Sequence, residues 1–330
     1  MIHKPGISAC IFAMCVAVPC LWTNSGFASD ETTKPTDAST SVAAAPGIKR
    51  ALIVCGLSGD ADHHNLFAET IGKLHEGLSK HQGFAASDIQ ILFGDEPLDA
   101  DAELIRSSPR STSAELQKVA TALRQSAKPE DTLWVILLGH SHFDGRHSWL
   151  NLPGPDIHED DLGKLFHDLP FREQVFLLTT PTSGLLIKPF SAKGRVVISS
   201  TEDALESNET EFPHVLARVL AAPPSAKEFD VDRDGKVTLL DLYLTVCRNV
   251  AQQYLDGELL ATEHPLVDDN GDGRGTEIQI DFLTVDQGGR ARPNKMPVVT
   301  IKPTSDGGLS KTISINAGPD PVSTESTEPK

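Results

Sequence analysis

Residues 133–145 read LWVILLGHSHFDG. Six apolar residues, Leu133 to Leu138, stop abruptly at Gly139-His140. An unbroken apolar run of that length is the pattern of a strand buried on both faces, as in a parallel sheet. The carboxyl ends of such strands are where open α/β sheets build their sites, so a histidine delivered there is a candidate base. A second run, Val175-Phe176-Leu177-Leu178, ends in Thr179-Thr180-Pro181-Thr182-Ser183-Gly184. Adjacent parallel strands would set these two ends side by side. The functional question is whether the second end supplies a nucleophile for His140.

Outward from this pair, apolar runs at 50–55, 89–93 and 195–199 read as further strands. Between them, Phe67, Ile71, Leu74 and Leu78 recur at helical spacing, as do Leu116, Val119 and Leu123 behind a Thr112 or Ser113 cap. Residues 160–166 and 213–220 read as two more helices. Strands alternating with helices predict an α/β fold with a mostly parallel sheet covered by helices on both faces. Gly56 and Gly59 follow the first strand, but the spacing of a dinucleotide-binding loop is absent.

The chain has 330 residues and a formal net charge of −17, from 46 acidic and 29 basic side chains. That balance argues against a nucleic-acid or anionic-membrane partner and suits cation binding. Residues 1–29 have the layout of a secretory signal: Lys4, an apolar core, then Gly26-Phe27-Ala28. The expectation is export, to a periplasmic or extracellular space. Beyond the signal only Cys55 and Cys247 remain, both in apolar runs. Two buried free thiols, or one disulfide, both fit that pattern. Residues 30–48 and 286–330 lack an apolar period and read as a disordered linker and tail, with 298–301 as one edge strand. The main domain is expected over 49–222, with an extension over 223–285.

His140 and His142, with Asp144 nearby, offer the start of a zinc site, but a third ligand at sensible spacing is missing. The order of motifs resembles the caspase-like fold, and within it the legumain-like cysteine peptidases, especially bacterial secreted members. The matching residues are Gly139-His140, Phe143-Asp144-Gly145, residues 151–156 (NLPGPD), Gly194-Arg195-Val196-Val197-Ile198 and Glu206-Ser207-Asn208-Glu209. In that family a histidine polarises a cysteine thiol, and the thiolate attacks the scissile carbonyl. His140 matches the histidine. Ser141 stands where a glycine helps form the oxyanion hole, and Pro181 stands where the cysteine is expected. Proline has no nucleophilic atom and no N–H. The resemblance therefore implies an inactive peptidase homologue, a binding or scaffold module with a protein or peptide partner. The alternative is a hydrolase that pairs His140 with a hydroxyl of Thr180, Thr182 or Ser183.

Residues 230–241 read DVDRDGKVTLLD. Asp230, Asp232, Asp234, Thr238 and Asp241 fall at positions 1, 3, 5, 9 and 12, with Gly235 at 6 and the Lys236 carbonyl at 7. This is the spacing of an EF-hand calcium loop, in which oxygens converge on a hard cation. An amphipathic helix follows through Tyr254, and Pro223-Pro224 breaks any incoming one, so the unit resembles a dockerin-like loop–helix half. Residues 268–277 repeat the start of the pattern with Asp268, Asn270, Asp272 and Gly273. That loop fails at position 12, where Glu277 would have to substitute; a polar turn fits it equally well. The expected cofactor is Ca2+.

Overall fold

The computed structural model describes residues 47–278 and 301–320. In chain order the elements are β1 (Lys49–Cys55), α1 (Ala61–Lys80), β2 (Ile89–Leu92), α2 (Glu103–Arg106), α3 (Ser113–Ser126) and β3 (Thr132–Leu138). There follow β4 (Ser141–Phe143), β5 (Ser148–Leu150), β6 (Ile157–His158), α4 (Glu159–Leu165), β7 (Glu173–Leu178), α5 (Ile187–Phe190) and β8 (Arg195–Ser199). The described chain ends with α6 (Phe212–Ala221), α7 (Ala226–Phe229), α8 (Leu239–Asp256) and β9 (Leu266–Asp268), then a segment over 301–320.

Six strands form one sheet in the order β2-β1-β3-β7-β8-β9. All pairs are parallel except β8–β9. The unbroken apolar strands have a direct cause. In β3, Trp134, Ile136 and Leu138 enter one core while Leu133, Val135 and Leu137 enter the other. The two-residue period of a strand sends alternate side chains to opposite faces, and both faces here are covered. One face packs α1, α6 and α8; the other packs α3, α4 and α5. The sequence expectation of a mostly parallel sheet covered on both sides describes this arrangement. Three short strands, β4-β5-β6, form a separate antiparallel sheet.

Three expectations change. Helix α1 begins at Ala61, not at Phe67, because the Asp60 side chain accepts from the His63 N–H and caps a polar first turn that carries no apolar period. The stretch 223–285 is no appendage in its described part. Strand β9 extends the main sheet, with Ile198 opposite Val267, and Leu239, Tyr243 and Val246 of α8 share a core with α1 and α6. Nor does the tail reading hold over 301–320. Ile313 and Ile315 are buried in the same core, the Leu239 N–H donates to the Ile313 carbonyl at 2.8 Å, and Ile315 N–H donates to Val237 at 3.1 Å. The Gln82 amide brackets Asn316 with two hydrogen bonds. The expected signal at 1–29, most of the linker, residues 298–300 of the edge strand and the last ten residues lie outside the described residues. No helix among the described residues is long and apolar enough to cross a membrane.

Candidate functional site

The carboxyl ends of β1, β3, β7 and β8 meet at one edge of the sheet. Gly139 sets the geometry there. Its φ of 114° and its approach to Gly56 leave no room for a side chain, since a Cβ would lie 2.6 Å from the Gly56 nitrogen. The chain therefore turns over the end of β1, and His140 donates from Nε2 to the Ser58 carbonyl at 2.9 Å. A carbonyl only accepts, so Nε2 carries a proton.

The partner of His140 is aromatic and imidazole, not hydroxyl. Its ring packs edge-on against His63 at 4.9 Å and Phe67 at 5.4 Å. His63 faces Asp60 from Nδ1 at 2.7 Å and Glu209 from Nε2 at 2.8 Å. Ionised carboxylates only accept, so this pairing favours the ring that carries a proton on both nitrogens. The hydrogen bond to Asp60, then that to Glu209, raises its pKa. Phe67 also stacks on His214 at 6.1 Å, whose Nδ1 meets Thr70 Oγ1 at 2.7 Å. Burial pushes His214 down to about 4, and its Nε2 has no hydrogen-bond partner among the described residues.

The expected nucleophiles are brought to the same edge but turned elsewhere. Pro181 is buried, and its carbonyl accepts from Ser141 Oγ at 2.5 Å. Thr182 Oγ1 is paired with Ser148 Oγ at 2.6 Å. Ser183 Oγ meets Ser200 Oγ and Thr201 Oγ1, each at 3.1 Å, and accepts from two backbone N–H groups. Thr180 is 1% exposed. Among the described residues no hydrogen bond joins His140 to Thr180, Thr182 or Ser183. The thiols give no substitute. Cys55 and Cys247 are free and buried, and burial raises both well above the ordinary thiol value. The disulfide alternative is not formed.

The first histidine pair does not gather a metal. His142 is exposed and bonds Asn151 at 2.8 Å. Asp144 is a turn residue that accepts from the His147 and Arg146 N–H groups and from Trp149 Nε1. These bonds, that from His147 foremost, hold its carboxyl down at about 2.

In the loop 230–241 the structure brings three of the six expected ligands together. One carboxylate oxygen from each of Asp230, Asp232 and Asp234 lies within 4.8 Å of the others. Asp230 also accepts from Asp234 and Gly235, which closes the turn. Asp241 is buried and committed elsewhere. Its Oδ1 accepts from Val231 and Asp232, and its Oδ2 accepts from the Thr238 N–H and hydroxyl at 2.8 Å. Thr238 and Asp241 thus form a capping box at the start of α8. The Lys311 ammonium, from the 301–320 segment, reaches Asp232 Oδ2 at 2.6 Å and Asp234 Oδ2 at 3.3 Å. No sequence signal pointed to Lys311, which is seventy residues beyond the loop.

The second loop has the same turn: Asp268 accepts from Gly271 and Gly273, and Asp272 from Arg274. Its acidic groups do not converge as those of the first loop do. Asp268, Asn270, Asp272 and Glu277 are not gathered into a three-ligand cluster of His, Cys, Asp or Glu.

No protein-family model matches the chain, and no curated protein matches it. Solved structures do. The chain is similar to the Drosophila initiator caspase Dronc at 11% identity, over 69% of this chain and 82% of that one, with a TM-score of 0.40. It is similar to caspase-1 from Spodoptera frugiperda at 14% identity, over 68% and 86%, with a TM-score of 0.40. It is similar to drICE at 12% identity, over 68% and 87%, with a TM-score of 0.36. Likeness at this level says nothing about chemistry.

Proposed function

We propose that this chain is a non-catalytic homologue of the caspase-like and legumain-like peptidases, exported and used as a binding or scaffold module. One observation carries the reading. At the strand end where a nucleophile is needed, Pro181 is buried and the Thr182 and Ser183 hydroxyls are bonded to other groups than His140. A serine or threonine hydroxyl ionises only with a base in hydrogen-bond reach, and none is placed there. His140 is held on a backbone carbonyl instead. The alternative hydrolase reading has no structural observation in its favour.

Calcium is the proposed cofactor of the loop 230–241. The donor set suits a hard cation, because three carboxylates converge in a tight turn. Asp230, Asp232 and Asp234 would hold the ion. Lys311 occupies the same carboxylates, so the loop has two competing cations, one of them tethered to the chain.

Two measurements test this. Incubated with a broad peptide library, the protein should give no cleavage; turnover that disappears in His140→Ala would overturn the non-catalytic reading. Titrated with calcium in a calorimeter, the loop should bind with a stoichiometry that falls in Asp230→Ala. An absence of heat, or heat unchanged in that variant, would remove the calcium assignment.

A further inference from the structure

The small sheet β4-β5-β6 carries a cluster that the motifs did not predict. His147 leads into β5, and His158, Glu159 and Asp160 follow one another where β6 becomes α4. Cross-strand pairing of Trp149 with His158 folds the two stretches together. One ligand-capable atom from each of His147, His158, Glu159 and Asp160 lies within 4.8 Å of the rest. The two imidazole rings are 4.5 Å apart.

His147 faces a carboxylate of the cluster itself, and His158 is oriented by one outside it. His147 Nδ1 faces Glu159 Oε1 at 2.9 Å, and His158 Nε2 faces Asp161 Oδ2 at 3.0 Å. Carboxylates accept, so in a neutral His158 ring the lone pair falls on the opposite nitrogen. That nitrogen, Nδ1, is buried with no hydrogen-bond partner among the described residues. Carboxylates that fix ring orientation and raise imidazole basicity are the usual surroundings of metal-bound histidine. Glu159 is itself 8% exposed, and its Oε2 accepts from the Ser148 N–H at 2.8 Å. Two imidazoles and two carboxylates thus converge, one of the carboxylates buried and one ring nitrogen without a hydrogen-bond partner among the described residues.

We propose that His147, His158, Glu159 and Asp160 bind a divalent transition metal of the zinc class. The His158 contribution comes through Nδ1, and Asp161 acts as the orienting group behind it. Two imidazoles with two carboxylates match that class, whereas calcium takes oxygen alone. Around a tetrahedral ion with ligand bonds of about 2.0–2.1 Å, donor atoms stand roughly 3.3 Å apart. The four atoms here lie within 4.8 Å of one another, so binding would draw them together by up to about 1.5 Å. The consequence is structural. Ser148, bonded through its N–H to Glu159, is bonded through its hydroxyl to Thr182, so the metal would brace the small sheet against the loop after β7.

Cobalt(II) is the probe, because a tetrahedral site gives intense visible absorption. Untagged protein, stripped with chelator and titrated with cobalt, should develop that absorption, and zinc added afterwards should bleach it. His158→Ala and the exposed Asp160→Asn should each weaken cobalt binding by about tenfold or more. Asp160→Asn is the informative variant if His158→Ala fails to fold. Asp230→Ala in the acidic loop and His264→Ala, in a separate cluster with Glu202 and Glu206, should leave the signal unchanged. No tetrahedral signal in the unaltered protein would overturn the proposal, as would a signal that survives Asp160→Asn or is lost in His264→Ala.

Discussion

Lys311 shows how much one side chain can decide. Its ammonium meets two carboxylates of the loop from a segment far along the chain. A charge-assisted bond of this kind is worth about 1.5–3 kcal/mol, so releasing those carboxylates should tighten calcium binding by about tenfold or more. Lys311→Met should show this gain in a calcium titration, and an unchanged affinity would mean that the ammonium does not compete. His214 gives a second prediction. Its folded pKa, about 4, lies below the ordinary 6.5, so the unfolded chain binds the extra proton first. The resulting loss of stability develops as pH falls from about 6.5 to 4 and reaches about 3 kcal/mol at most. His214→Leu should flatten melting temperature against pH in that window. His63 acts with the opposite sign: its raised pKa adds stability below about 6.5 that fades as pH rises through the folded value.

At the scale of elements, α8 and its cap explain why a metal motif was only partly legible. The spacing of Asp230 to Asp241 predicts six ligands, yet the last belongs to the helix start, because a helix needs its first N–H groups satisfied. Asp241→Ala should cost about 1–2 kcal/mol through loss of the cap. If Asp241 acts only as a cap, that loss is equal with and without calcium; a loss seen only with calcium would make it a ligand. The same limit applies at the other sites. His140 was legible because a strand-ending histidine leaves a sequence signature. His63 was not, since the first turn of α1 is polar and only the fold brings Glu209, 146 residues away, onto its ring. The metal-like cluster was hidden for the same reason: it needs β5 and β6 to pair.

For the whole molecule, the segment over 301–320 completes the core. Ile313 and Ile315 pack with α1, α6 and α8, and Lys311 and Asn316 tie that segment to the acidic loop and to Gln82. Ile313→Ala should lower stability by about 2–4 kcal/mol, read from denaturant unfolding, because it leaves a cavity beneath α8. A change below about 0.5 kcal/mol would mean that the segment is not seated in solution. Composition hides this role. The segment is rich in Ser, Thr, Gly and Pro, and its three isoleucines are too few for a periodic signal. By itself the sequence determined the five parallel strands, most helices and the two-sided sheet, because those follow from local period and residue identity. Only tertiary structure decided where His140 points, that the Thr182 and Ser183 hydroxyls are spent on neighbouring groups, that Lys311 sits among the aspartates and that 301–320 belongs to the core. Each of these is a contact between residues distant in the chain, and no local pattern encodes which distant partner a side chain meets.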